Sequence, residues 1–236
     1  MSARSGGSRS AAAWLFVVVA AIGLSLARPG DGTAQLFVNR AALDPVQPNM
    51  VNVRVGADYA FVVGVGYSRG LAVGGRTLLL SGSLTAPWAD ADLGDYDVRI
   101  GATLDLVGRS RWGLVGGLGS SLRGTTNELG RLRSVAVDGV LVGGHWSPRW
   151  FATVEGGYDG AIATHLDHSD HYRSTHYADA RDGWYGDAGS NLRLGVAGGV
   201  SFGRYDLVLR AGQARDREGH PQLLPAYATL DLNVRF

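Results

Sequence analysis

A stretch of histidines and aspartates is the part of the sequence best suited to metal chemistry. Four of the six histidines lie close together and alternate with two aspartates, in the set His165, Asp167, His168, Asp170, His171 and His176. Neutral imidazoles and carboxylates are ligands for zinc, copper and nickel. Because the set follows no closed ligand motif, an ordinary polar external loop explains it as well. The sequence leaves both interpretations open.

A second set of charged side chains recurs at alternate positions of several segments. Seven acids and five arginines share this placement: Asp97, Arg99, Asp105, Arg123, Asp138, Glu155, Asp159, Arg193, Asp206, Arg210, Asp231 and Arg235. Buried charges need partners or water, so the mixture predicts either an ion-paired interior or a narrow wet channel. We favour the paired interior, because a barrel of eight to ten strands encloses little space.

Candidate catalytic groups are sparse. His145 and Ser147 have a His-x-Ser spacing, but they lie at a predicted periplasmic turn, the wrong end for lipid of the outer leaflet. Asp170 precedes His171 at the outer end, but a neighbouring Asp and His in a loop are a weak signal by themselves. Cysteine is absent, which excludes thiol nucleophiles and thiolate metal ligands. We assign no catalytic residue and keep a lipid or protein hydrolase as an alternative.

The composition excludes several classes of protein. The 236 residues include 36 glycines and 18% charged residues, and every basic residue is arginine. A net charge of +1 without a basic block argues against nucleic acid as a partner. After the N-terminal region no apolar run is long enough for a membrane-spanning helix. The remaining classes are a soluble β protein and a membrane β-barrel.

A period of two dominates the chain from about residue 50 onward, and this period predicts strands. In 226–236 one face carries Ala228, Leu230, Leu232, Val234 and Phe236, and the other carries Tyr227, Thr229, Asp231, Asn233 and Arg235. The same division appears in 96–107 and 190–202. Strands of this length are long for a soluble sandwich and match a tilted crossing of a bilayer.

Ten alternating segments can be counted, at 50–56, 58–69, 76–86, 96–107, 112–123, 134–146, 150–159, 189–202, 204–213 and 226–236. Tight turns at 108–111, 147–149 and 203–204 alternate with longer connections at 87–95, 124–133, 160–187 and 214–225. Short periplasmic turns and long outer loops are typical of membrane barrels. The pattern predicts an all-β, antiparallel up-and-down transmembrane β-barrel of ten strands, with eight or twelve strands as alternatives.

Aromatic residues lie where the predicted strands begin and end. Trp112, Trp146 and Trp150 flank tight turns, where amphipathic rings suit a membrane interface. Trp88, Trp184 and Tyr185 fit the outer rim.

The N-terminus has the pattern of a secretory signal. Arg4 and Arg9 precede an uncharged apolar segment at 11–26, and small residues fit cleavage after Ala34, or after Ala27. We therefore divide the chain into a signal peptide at 1–34, a periplasmic segment at 35–49 and the barrel at 50–236.

The signal sequence, the ten alternating strands and the final LDLNVRF together resemble bacterial outer-membrane β-barrel proteins of the small-barrel class. In that class a terminal Phe preceded by alternating apolar residues is the signal read by the barrel-assembly machinery, and Leu230, Leu232, Val234 and Phe236 fill this pattern. The resemblance implies an outer-membrane location in a Gram-negative-type envelope. It also implies a monomer whose partners are outer-membrane lipid and the assembly machinery.

The expected function is that of a non-enzymatic barrel with a structural, surface-interaction or porin-like diffusion role. One alternative is a metal-binding surface barrel that uses the loop at 160–187, and a divalent metal there is the one cofactor indicated. A second alternative is a lipid-modifying enzyme of the outer leaflet.

Overall fold

The chain forms a closed antiparallel β-barrel, seen in a computed structural model that describes residues 38–43, 47–58, 60–88, 94–186, 189–216 and 221–236. The predicted signal peptide and its cleavage sites lie outside the described residues. Of the predicted periplasmic segment at 35–49, the described part is 38–43 and 47–49.

Eleven strands follow one another among the described residues: β1 (Asn49–Ala57), β2 (Phe61–Val73), β3 (Arg76–Pro87), β4 (Tyr96–Arg109), β5 (Trp112–Asn127), β6 (Gly130–Trp146), β7 (Trp150–His168), β8 (Gly183–Gly186), β9 (Ser190–Phe202), β10 (Tyr205–Asp216) and β11 (Pro221–Arg235). A 3-10 helix at Arg40–Ala42 precedes β1, and helix α1 (Asp170–Thr175) follows β7. In the described part of the chain, no helix has the length and apolar character needed to cross a membrane.

Ten of these strands form the barrel, because β8 pairs only with the end of β7. Each barrel strand pairs antiparallel with its neighbour, and β11 closes the barrel on β1, with Val53 opposite Leu232. Closure leaves no long unpaired edge on the barrel strands that the structure describes. The structure confirms the all-β class, the antiparallel pairing and the ten-strand count.

The two faces of the wall differ as the period of two predicts. Outward positions are apolar and exposed, as at Ile100 (65%), Leu118 (76%) and Leu194 (71%). Inward positions carry the charged and polar side chains, as in β11, where Asp231 and Asn233 are fully buried. The barrel is thus apolar outside and polar within.

The two ends of the barrel have connections of different kinds. At the turn end lie the short connections 74–75, 110–111, 147–149 and 203–204, together with Asn49 and Phe236. Gly74 and Gly75 have φ values of 57° and 75°, a left-handed conformation that glycine adopts without strain and that two-residue hairpins require. The opposite end, with the connections that follow β1, β3, β5, β7 and β10, is the loop end.

Three of the predicted long loops consist in good part of strand, and their predicted bounds were wrong. In 214–225, β10 continues to Asp216 and β11 begins at Pro221. In 124–133, β5 continues to Asn127 and β6 begins at Gly130, so only a two-residue turn remains. In 160–187, β7 continues to His168, opposite Gly130. The loops were predicted from the points where apolar alternation ends. Main-chain hydrogen bonds continue the strand pairing beyond those points, so the strands are longer than predicted. We call the ends of β5, β6 and β7 beyond the barrel, with α1 and β8, the projecting sheet.

The turn half of the interior has an apolar core. Val115, Val142, Trp146, Phe151, Ala197 and Val208 form one buried cluster, and Val38, Met50 and Leu79 form another. The prediction that Trp146 lies at an interface was therefore wrong: it shares the inward face of β6 with Val142. Trp112 and Trp150 do face outward, at 66% and 47% exposure.

Candidate functional site

The predicted charged set lines the barrel interior. Eleven of its twelve members are buried, and Asp105 alone keeps about a third of its side chain exposed. The charges form several ion-paired groups, which we call the interior charge network.

The first group lies in the loop half of the barrel. Arg123 donates to both carboxylate oxygens of Asp159, with Nη1 to Oδ1 at 2.9 Å. Arg99 lies 3.2 Å from both Asp97 and Asp138. Two-pronged contacts of this kind fix the angle of a guanidinium as well as its position. The arginines thereby connect strands β4, β5, β6 and β7 across the interior.

The second group surrounds Glu155. Arg210 Nη2 lies 2.8 and 3.0 Å from the two oxygens of Glu155, and the hydroxyl of Tyr227 donates to the same carboxylate. The guanidinium of Arg193 lies 5.4 Å from the Tyr227 ring centre and pairs with Asp58 at 3.2 Å. Tyr227 thus combines a hydrogen bond to the ion-paired carboxylate of Glu155 with cation–π contacts to Arg193 and Arg210.

Inward glycines provide the space for these large side chains. A Cβ on Gly195 or Gly212 would lie 2.2 or 2.4 Å from the Tyr227 hydroxyl oxygen, and one on Gly119 would lie 2.7 Å from Asp138. Such contacts are too close for any side chain larger than hydrogen. The glycine-rich strands are therefore matched to the interior charge network.

The third group lies beside the junction of β1 and β11. Asp231 accepts from the Nε of Arg54 and, at 3.2 Å, from Asn52, which also donates to Asn233 at 2.7 Å. In the adjoining strand Asp206 pairs with Arg235 at 3.1 Å. The predicted set omitted Arg54, Asp58 and Tyr227. The signal for Arg54 was present, because it alternates with Val51, Val53 and Val55.

The segment 38–43 lies across the turn end of the barrel, and we call it the N-terminal plug. Asn39 is fully buried and donates through Nδ2 to the Ser147 carbonyl and the Ser201 hydroxyl, both at 2.8 Å. Arg40 donates to the Thr77 carbonyl at 2.7 Å and pairs with Asp105. Burial lowers the pKa of Arg40, and the charge of Asp105 opposes that shift. Hydrogen bonds therefore attach the plug to both sides of the opening.

Burial of the charges shows how the interior is filled. Side chains that line an open channel are in contact with water, whereas Asp159, Asp206 and Asp231 are at most 1% exposed. Their carboxylates contact arginines or amides from other strands, which is how buried charges are tolerated. The lumen is filled by side chains at these levels.

The histidine-rich stretch divides its side chains among different partners. His165 Nδ1 lies 3.4 Å from Asp167, and its ring meets Trp184 edge-on. His168 Nδ1 lies 3.1 Å from Asp182. The main-chain N–H of His168, together with its ring and Arg173, lowers the pKa of Asp182 to about 2. These contacts hold the end of β7 to the segment before β8.

The other two histidines of this stretch point elsewhere. His176 packs against Tyr172, whose ring stacks on His168, while Asp170 and His171 are exposed on α1. Among the described residues, no three His, Cys, Asp or Glu side chains are arranged to hold a metal ion. In this arrangement the six predicted ligands are not brought together.

Metal binding at this loop stays a prediction, and it requires His168 to exchange Asp182 for the ion. Zinc binding is measured by calorimetric titration of the refolded protein above about pH 6.5, where imidazole is mostly neutral. Saturable binding that is lost in His165→Ala/His168→Ala and on acidification would support the site. Absence of saturable binding, or binding unchanged by the double substitution, would contradict it.

The catalytic candidates His145 and Ser147 do not contact each other in a way that would pair a base with a nucleophile. His145 faces outward, with its ring stacked on Trp150 at 4.6 Å and edge-on to Trp112 at 5.3 Å. The hydroxyl of Ser147 instead donates to the Trp150 carbonyl at 2.9 Å. His145 and Ser147 therefore have separate partners, and nothing in their geometry points to catalysis.

Comparisons with known proteins leave the function to be argued from the barrel itself. No model of a known protein family matches the chain, and no curated protein matches it significantly.

Proposed function

We propose that the chain is a bacterial outer-membrane β-barrel with a closed interior. The barrel serves as a rigid support, and the projecting sheet that it carries serves as a surface for interaction with partners. The observation that carries this proposal is the arrangement of the wall, with exposed apolar side chains outside and buried, paired charges inside. A soluble barrel has the opposite arrangement.

The outer surface supports a membrane location. Large apolar side chains are exposed on every barrel strand, including Val53, Val65, Leu84, Ile100 and Leu118. Soluble monomers rarely expose continuous apolar patches above a few hundred Å². Each Å² costs about 25 cal/mol in water, so a belt around the whole barrel favours lipid as its surroundings.

The interior favours a structural or surface role over diffusion of solutes. Permeation requires a continuous water-filled path, and the interior charge network together with the N-terminal plug occupies the lumen at several heights. Opening a path would separate buried ion pairs, which costs several kcal/mol for each pair broken.

The projecting sheet has features of a binding surface. Ser169 donates to the Glu128 carbonyl at 2.6 Å, and Arg173 pairs with Asp182 at 2.6 Å, so α1 is attached to the strands beside it. Tyr177 and Trp184 are about two-thirds exposed there. Exposed aromatic residues on a rigid support are enriched where proteins bind partners.

Fractionation and conductance test the proposal together. We expect the mature protein in the outer-membrane fraction, soluble only with detergent and with heat-modifiable mobility. In planar bilayers we expect no steady conductance, measured beside an open porin as the control. Recovery in the soluble periplasmic fraction would contradict the membrane location, and regular conductance steps would contradict the closed interior.

Assembly provides a further prediction. Phe236 is 53% exposed, and its main chain exchanges hydrogen bonds with Asn49 at the start of β1. Deleting Phe236 is expected to lower the yield of heat-modifiable barrel in the outer membrane and to raise periplasmic degradation. Deleting one residue from the projecting sheet, Leu129, is the control. An unchanged yield after loss of Phe236 would show that this residue is not part of an assembly signal.

A further inference from the structure

Six exposed arginines surround the turn end of the barrel: Arg69, Arg76, Arg109, Arg111, Arg149 and Arg204. None of them forms an ion pair with any residue that the structure describes. The described acidic side chains nearest this end, Asp105 and Asp206, turn inward and pair with Arg40 and Arg235. The turn end therefore has an uncompensated positive surface.

An apolar groove of about 860 Å³ lies on the outside of the wall, above part of this surface. Outward glycines of β5, β6 and β7 form its floor (Gly116, Gly139 and Gly156), and leucines form its rim (Leu118, Leu141 and Leu194). A Cβ on Gly139 or Gly156 would meet its nearest atom at 3.6 Å, an ordinary contact. Gly139 and Gly156 are therefore not required by packing within the barrel.

The groove and three of the arginines belong to the same strands. Arg109 and Arg111 lie at the turn between β4 and β5, and Arg149 lies at the turn between β6 and β7. Gly116 follows Arg111 by about 17 Å of strand at roughly 3.3 Å per residue, and with the strand tilt this is close to the depth of one bilayer leaflet. A cationic surface and an apolar groove are thus one lipid length apart.

We infer that this face binds one anionic phospholipid, with its phosphate on Arg109, Arg111 and Arg149 and an acyl chain in the groove. The inference rests on the proposed function, since the groove meets acyl chains only when the barrel spans a membrane. Guanidinium groups bind phosphate oxygens through two parallel hydrogen bonds. The arginines have no carboxylate partner among the described residues, so an anionic headgroup complements them better than a zwitterionic one does.

Two tryptophans allow binding to be measured directly. Trp112 and Trp150 face outward between the arginines and the groove; Trp150 stacks on His145, and Trp112 meets the same ring edge-on. The full mature chain is inserted into phosphatidylcholine vesicles that contain a minor fraction of phosphatidylglycerol with brominated acyl chains, which quench tryptophan fluorescence on contact. We expect stronger quenching than by brominated phosphatidylcholine at the same fraction.

Two double variants distinguish binding of the headgroup at this site from attraction of the lipid to the overall positive charge of the protein. Arg111→Gln/Arg149→Gln is expected to weaken the preference for phosphatidylglycerol, by about fivefold for each charge removed. The control Arg131→Gln/Arg133→Gln removes the same charge from the projecting sheet and is expected to keep the preference. An equal loss in both variants would contradict a headgroup site at the turn end.

Groove-filling variants test the acyl-chain position. Gly139→Leu and Gly156→Leu occupy the floor and are expected to reduce quenching by brominated phosphatidylglycerol. Gly82→Leu is the control, because Gly82 faces outward beyond the groove and its Cβ would lie 3.8 Å from the nearest atom. Quenching unchanged by the floor variants would contradict the groove as part of the site.

The two proposals fail in different ways. A chain that inserts into vesicles and is quenched equally by both lipids overturns the lipid site and leaves the membrane barrel intact. A chain that does not insert overturns the membrane barrel and the lipid site with it.

Discussion

Replacing Asp231 by alanine is expected to lower the free energy of unfolding by about 3 to 5 kcal/mol, the largest effect of any single substitution considered. Asp231 is fully buried and accepts from Arg54 and Asn52. Its removal takes away the carboxylate that neutralises a buried guanidinium, in a place that water cannot readily enter. The measurement is urea unfolding of the protein in lipid vesicles, followed by tryptophan fluorescence.

Two further variants serve as controls for the stability loss expected in Asp231→Ala. Asp179→Ala changes an exposed carboxylate near α1 and is expected to alter stability by less than about 0.5 kcal/mol. The double variant Arg54→Met/Asp231→Leu removes both charges and is expected to be far less damaging than Asp231→Ala, because no buried charge then lacks compensation. A loss below about 1 kcal/mol in Asp231→Ala would contradict a closed interior, since water in an open lumen would solvate Arg54.

Replacing Leu232 by arginine is expected to lower the free energy of unfolding in vesicles, because the charge then meets hydrocarbon; the loss is about 2 to 4 kcal/mol if the side chain lies near the middle of the bilayer. Leu232 faces outward on β11, between Val53 of β1 and Leu207 of β10. The same urea titration measures the loss.

Leu129→Arg is the matched control, because Leu129 is similarly exposed (44% against 40%) but lies at the turn of the projecting sheet. There the charge enters water, and we expect little change in stability. Equal effects of the two substitutions would mean that both sites meet the same medium, and this would contradict a membrane around the barrel.

The wall of the barrel could be predicted from sequence because one physical rule governs it. Successive side chains of a strand point to opposite faces, so alternation identifies the strands and also which side chains share a face. Asp231 and Arg235 were assigned to the interior by this rule, and their burial agrees with it. Tight turns at 147–149 and 203–204 followed from the same segmentation.

Other features depend on contacts that alternation does not encode. The N-terminal plug is held by Asn39 and Arg40, which belong to no periodic segment. The pairing of Arg123 with Asp159 depends on which strands lie side by side and on their register. Strand β7 continues to His168 through main-chain hydrogen bonds, which are independent of side-chain type. Trp146 was misplaced because its position beside a turn was given more weight than its phase in β6.

The junction between β1 and β11 also determines the order in which the chain can fold. Asn52 and Asn233, bonded across it, are separated by 181 positions in the sequence. All other barrel pairings join strands that are successive or nearly so, whereas this one joins the first barrel strand to the last. Closing so long a loop is slow, because its entropy is lost before its contacts form. The exposed edges of β1 and β11 must therefore be kept from pairing with other chains until β11 arrives.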